Sequence, residues 1–95
     1  MATTRETVLL STLPAEVLPF NTHRTGTLIY NGSLVAPMLL AFGEDPVTVD
    51  SVSLVIPPGT VAELPADYDG ERVTGVLLAG SALACASYRI RYVGE

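Results

Sequence analysis

Gly80-Ser81-Ala82-Leu83-Ala84-Cys85-Ala86-Ser87-Tyr88-Arg89-Ile90-Arg91-Tyr92-Val93 decides how the chain is read. In an extended conformation Ala84, Ala86, Tyr88, Ile90 and Tyr92 share one face, and Ser87, Arg89 and Arg91 share the other. That period of two marks a strand with one face on a core and one in water. Gly80-Ser81 suits a turn whose first central residue is Gly. The stretch therefore predicts a hairpin, with Arg72–Ala79 returning as Ala82–Val93.

Outward from this strand, the same punctuation recurs. Asn31-Gly32, Pro57-Pro58-Gly59 and Asp69-Gly70 each separate runs of β-branched, aromatic or aliphatic residues. Asn-Gly and Asp-Gly tolerate the positive φ of hairpin turns, and Pro58-Gly59 fits a type II turn. Thr27–Tyr30, Asn31-Gly32 and Ser33–Phe42 read as the clearest hairpin. Val47–Ile56 changes phase, with Val47 and Val49 on one parity and Val52, Leu54 and Ile56 on the other. A bulge or corner near Asp50-Ser51, or two short strands, would account for it. Turn signals every ~8–12 residues predict an all-β fold. The expected architecture is a small antiparallel β-sandwich, jelly-roll-like, of about seven to eight short strands. Residues 1–20 read as a strand (Glu6–Thr12) and an extended arm broken by Pro14 and Pro19. Residues 21–95 form the sandwich body of what is one domain overall.

The 95 residues are 48% hydrophobic, more than one small core readily absorbs. Leu34–Phe42 concentrates that excess, because its apolar run leaves no polar face. Pro37 cannot donate to a ladder, which predicts an edge or a bulge there. Either the chain's own loops cover both faces or a neighbouring subunit does; an exposed apolar patch of this size marks an interaction site. Leu34, Val35, Pro37, Met38, Leu40 and Phe42 are thus the candidate subunit interface.

The net charge is −5, with five Arg, no Lys and ten carboxylates. That balance argues against nucleic acid and against anionic membranes as partners. Cys85 is the single cysteine, so no intrachain disulfide forms. Val8-Leu9-Leu10 is too short for a signal peptide, and Leu34–Phe42 is too short for a spanning helix. A soluble protein made in a cytoplasm is expected.

Little in the chain suggests catalysis. His23 is the lone histidine and has only Thr22 and Thr25 beside it, in the same loop. Cys85, in the small apolar stretch Leu83–Ala86, is expected to be buried and inert. Asp67-Tyr68-Asp69-Gly70-Glu71 offers three carboxylates around a turn but lacks the spacing of a calcium loop. No phosphate loop, metal cluster or nucleophile elbow is present. No catalytic residue, cofactor or metal site is expected, and the scarcity of aromatics disfavours a sugar platform.

Two stretches resemble the small virion β-sandwich proteins of tailed bacteriophages. The first is Asn21-Thr22-His23-Arg24-Thr25-Gly26-Thr27-Leu28-Ile29-Tyr30-Asn31-Gly32. It is similar to that group's Asn-Pro-x-Arg loop followed by a strand and an Asn, with Thr22 where Pro is usual. The second, Ile56–Gly70, is similar to the group's Pro-x-Gly turn, Glu-Leu strand and Tyr-x-Gly turn. The resemblance covers roughly Glu16 to Val93 and implies a non-enzymatic virion protein, most of all a capsid decoration (cement) protein. It implies as partners the major capsid protein and further copies of itself, with a trimer as the expected state. The location it implies is the capsid surface of a virion. A neck, tail or fibre-base adaptor is the alternative, and a carbohydrate-binding module is a more distant one. Candidate shell-contact residues are Asn21, His23, Arg24, Asp67, Tyr68 and Asp69, together with the N-terminal arm. Asn21 and Thr22 can hydrogen-bond their own turn, and Arg24 can brace the loop.

Overall fold

The computed structural model describes residues 2–43, 47–48, 51–68 and 70–90. Eight strands are found there: β1 (Ala2–Leu10), β2 (Ala15–Leu18), β3 (Arg24–Asn31), β4 (Met38–Phe42), β5 (Leu54–Ile56), β6 (Val61–Glu63), β7 (Val73–Leu77) and β8 (Ala82–Ile90). A 3₁₀ turn, Ala66–Tyr68, precedes β7. The strands form two antiparallel four-stranded sheets, ordered β1-β8-β3-β6 and β2-β7-β4-β5. First pairs with eighth, second with seventh, third with sixth and fourth with fifth. That nesting is the jelly roll, an eight-stranded sandwich of two sheets.

The topology corrects both predicted hairpins. β3 and β4, on either side of Asn31-Gly32, lie in different sheets, as do β7 and β8 on either side of Gly80-Ser81. Of the seven consecutive strand pairs, only β4 and β5 are ladder partners. The remaining connections carry the chain from one sheet to the other. The Pro-Gly turn is one of these corners: Thr60 N–H donates to the Pro57 carbonyl at 3.3 Å, and Gly59 has φ of 68°. Positive φ at the third residue of the turn is the type II requirement.

The expected N-terminal arm belongs to the body. Ala2–Leu10 pairs along its whole length with β8, and Leu10, Val17 and Leu18 are core residues. β2 is an edge strand, the position that chain between two prolines can occupy. In β8 the alternation is as read, with Ala84, Ala86 and Tyr88 buried and Arg89 exposed. Arg91, Tyr92 and Val93 lie outside the described residues, as do Val49 and Asp50. Within Val47–Ile56, Thr48 and Ser51 form an antiparallel bridge, and the Ser51 N–H donates to the Thr48 carbonyl at 3.1 Å.

β4 explains why Leu34–Phe42 has no polar face. It is an internal strand between β7 and β5, and it starts after Pro37. Met38 and Leu40 point into the sandwich, where they meet Leu10, Ile29, Ile56, Val73 and Leu77. Leu39 and Ala41 point to the other face and pack with Val76 under Val47 and Val52. Val47 is anchored by its N–H, which donates to Thr74 Oγ1 at 2.9 Å. Val47 and Val52, which follow β4 in the chain, thus cover Leu39, Ala41 and Val76 on this sheet. Met38 and Leu40 cannot serve as interface residues, because the core already encloses them.

Candidate interaction surface

The corners gather at the two ends of the sandwich, and the ends differ in character. One end joins the β2–β3 connection to the β6–β7 connection. Asn21 N–H donates to the Gly70 carbonyl at 2.9 Å, and Gly43 N–H donates to the Arg72 carbonyl at 2.8 Å. Asn21 Oδ1 accepts the His23 N–H at 2.9 Å, the local turn its side chain favours. The Phe42 and Tyr68 rings meet at 5.0 Å with a 42° tilt. Phe42 is consequently part of this end wall and packs against the core.

Arg24 is the keystone of this end, and it is only 3% exposed. Nη1 donates to the Pro19 carbonyl at 2.6 Å, and Nη2 donates to the Glu71 carbonyl. The guanidinium carbon lies 5.8 Å from the centre of the Tyr88 ring, within cation–π range. Arg24 therefore braces the two loops, as one reading of its sequence position holds, and is not available as a shell contact. His23, Asp67 and Tyr68 are exposed, while Asp69 lies outside the described residues. Among the described residues no group of three or more His, Cys, Asp or Glu side chains could hold a metal ion.

The opposite end is apolar. Its connections interlock through Leu77 N–H to Ser11 carbonyl (2.8 Å), Gly59 N–H to Ser33 carbonyl (2.8 Å) and Gly32 N–H to Leu83 carbonyl (3.0 Å). Asn31 and Ser33 are buried and fold the segment after β3. Asn31 Oδ1 accepts the Ser33 N–H at 2.9 Å, and Ser33 Oγ accepts the Ala36 N–H at 3.0 Å. The residues between are pushed outward: Leu34 is 80% exposed and Val35 85%. Leu13 and Leu78 in the neighbouring corners are also exposed. Pro37, half-buried, sits behind them, and its carbonyl accepts the Leu78 N–H at 3.4 Å. Of the six residues expected at an interface, Leu34 and Val35 are the two fully presented to solvent. The Asn-x-Ser spacing before them was the available signal for a pinned loop.

A second uncovered area is the outer face of the β1-β8-β3-β6 sheet. Leu9, Leu83, Leu28, Tyr30 and Val61 point outward from it and remain exposed. Cys85 lies among them, half-exposed and outward-facing, which corrects the expectation of a buried thiol. Thr7 Oγ1 is its neighbour across the ladder, 4.0 Å from the sulfur. Comparison with models of protein families, with characterised proteins and with solved structures finds no match to this chain.

Proposed function

We propose that the chain is a non-enzymatic structural protein of a tailed-phage particle, a capsid decoration protein that docks on the assembled major capsid shell. The observation that carries this reading is the pair Leu34 and Val35, held out to solvent on a loop pinned by buried Asn31 and Ser33. Apolar side chains on a preorganised loop lose little conformational entropy on docking. The docking end in this reading is the one that presents Leu34 and Val35, so these two take the shell contact that the sequence reading gave to the loops at the Arg24 end. The resemblance carried by Asn21–Gly32 and Ile56–Gly70 points to the virion, and the jelly roll is a fold of capsid domains. A protein that binds the assembled shell but not free subunits stabilises the shell by mass action. Self-association strengthens this through linked sites.

Cosedimentation with assembled capsids, with phage tails as the comparison, tests the reading. Binding to capsids that Leu34→Asp with Val35→Asp abolishes is the expected result. Binding to tails and not to capsids transfers the protein to the adaptor class.

A further inference from the structure

The outer face of the β1-β8-β3-β6 sheet has a pattern with self-complementary geometry. Ladder register places its outward residues in rows that cross the strands. One row runs Arg5, Ser87, Leu28, Glu63, from edge strand β1 to edge strand β6. The next runs Thr7, Cys85, Tyr30, Val61. Beyond it Leu9 stands opposite Leu83, which lies beside Gly32.

A two-fold axis parallel to the strands, laid over the centre of this face, reverses each row onto itself. Arg5 then meets the partner's Glu63, and Glu63 meets the partner's Arg5. Leu28 lies over the partner's Ser87, Tyr30 over the partner's Cys85, Val61 over the partner's Thr7, and Leu83 over the partner's Gly32. Leu28, Tyr30 and Leu83 each face a smaller residue, Val61 faces the equally sized Thr7, and each edge charge faces its opposite. Within one chain Arg5 and Glu63 are three strand spacings apart, roughly 14 Å, too far to pair. No ion pair involves either of them among the described residues.

The extent of the patch fits the same occupant. Leu9, Leu83, Leu28, Tyr30 and Val61 are 65%, 56%, 44%, 42% and 58% exposed. Together they leave on the order of 500 Å² of apolar surface, near the upper end for a monomer. Two such faces bury on the order of 1,000 Å², the lower bound of a specific interface. Among the described residues the other sheet offers no equivalent: Val47 and Val52 pack over Leu39, Ala41 and Val76 on its outer face, which leaves only Val55 exposed on the edge strand.

We propose that two copies of the chain pair face to face through this sheet, about a two-fold axis along the strands, with reciprocal Arg5–Glu63 contacts at its edges. The pairing specifies the self-association in the function proposed above, and it does not depend on what the apolar end binds.

A charge swap followed by sedimentation velocity through the micromolar range tests it. The wild-type chain is expected as a dimer. Arg5→Glu and Glu63→Arg alone each weaken dimerisation by about tenfold, since each replaces two attractions by two repulsions. The double variant Arg5→Glu with Glu63→Arg returns to within about threefold of wild type, a rescue that these edge charges can give only between chains. Cys85 provides an independent readout: a short bifunctional maleimide links two copies in the wild type and not in Leu28→Asp. Circular dichroism melts confirm that the variants are folded. A monomer throughout the range, a trimer, or single-charge variants that dimerise like the wild type overturns the pairing. Capsid cosedimentation of the same variants is scored separately, so a monomer that binds shells removes the pairing and leaves the decoration reading in place.

Discussion

The Asn31 amide ties the two sheets together at Ile56. Asn31 ends β3 in one sheet, and its Nδ2 donates to the carbonyl of Ile56, at the end of β5 in the other, at 3.1 Å. The same nitrogen donates to the Ala36 carbonyl at 3.0 Å, while Oδ1 accepts the Ser33 N–H. A buried polar group with its partners removed carries the full desolvation cost. Asn31→Leu leaves the Ala36 and Ile56 carbonyls and the Ser33 N–H without this partner. The expected loss is about 2–4 kcal/mol, measured as a fall in the urea midpoint with an unchanged m-value. An unchanged midpoint would remove Asn31 from its place as the inter-sheet tie.

At the other end, Arg24 has the corresponding role between Pro19 and Glu71. Arg24→Met keeps most of the apolar stem but removes both donors to those carbonyls. Hydrogen bonds from a buried charged donor are worth more than neutral ones, so the expected loss is about 3 kcal/mol. Arg24→Lys supplies one compact donor in place of a planar fork and recovers only part of it. Because the group is buried, added salt should leave these differences nearly unchanged. Urea unfolding at low and high ionic strength checks both statements.

These two residues show where sequence reading reached and where it stopped. The alternation in β8 was legible because one face is core and the other is solvent, a local property of the strand. The turn at Pro58-Gly59 was legible because φ is a property of the residues themselves. Strand partnership was not. Asn31-Gly32 and Gly80-Ser81 announce reversals, but the same residues serve a hairpin and a corner that switches sheets. The two covered faces of Met38–Phe42 were visible as a pattern, yet the cover comes from Val47 and Val52, which lie outside any strand and so carry no alternation to read. Arg24 gave no sign of burial, since arginine is among the residues least often buried. Leu34 and Val35 were readable as interface candidates but could not be told apart from the four others, because their placement depends on Asn31 reaching a different sheet.

Two glycines differ in what would oppose a methyl group. At Gly75, in the centre of β7, a Cβ would meet Leu10 Cδ1 at 2.9 Å and Leu40 Cδ2 and Val17 Cγ2 at 3.0 Å. Those are the ends of side chains, which can shift at the cost of overpacking, about 1–3 kcal/mol. At Gly32 a Cβ would fall 2.2 Å from the Leu83 carbonyl oxygen, a backbone atom that accepts the Gly32 N–H. Gly32→Ala must open that corner, and it is expected to destabilise more than Gly75→Ala. Thermal melts of the two variants rank them, and the reverse order would contradict the close approach.

Alkaline stability should depend on Tyr88. The residue is buried, and its hydroxyl donates to Glu6 Oε1 at 3.4 Å in a part-buried hydrogen bond. Burial raises its pKa above the ordinary phenol value of 10.0, the Glu6 charge and hydrogen bond raise it further, and Arg24 pulls it partly back. The folded state therefore holds the phenol proton more tightly than the unfolded state. The associated stability is complete below about pH 10 and is lost as pH rises through the folded value. Between the two values the slope is up to about 1.4 kcal/mol per pH unit. Tyr88→Phe should remove that component, so the gap between the two proteins narrows above pH 10. A constant gap in urea unfolding across that range would contradict the assignment.

Leu34 and Val35 offer a separation of stability from binding. Both are more than three-quarters exposed, and neither belongs to the core clusters. Leu34→Asp with Val35→Asp removes apolar surface from solvent and adds two charges to a loop held by its Asn31 and Ser33 contacts. Surface substitutions away from structural features usually change stability by about 0.5 kcal/mol or less. The double variant should therefore melt within a few degrees of wild type. Any partner that docks on the apolar end must instead desolvate two carboxylates, so its affinity should fall by at least about a hundredfold. Equal binding by the two proteins in a pull-down with assembled capsids would show that docking uses another surface. A collapsed melting temperature would show that the loop is braced by these side chains and not by the polar residues beneath them.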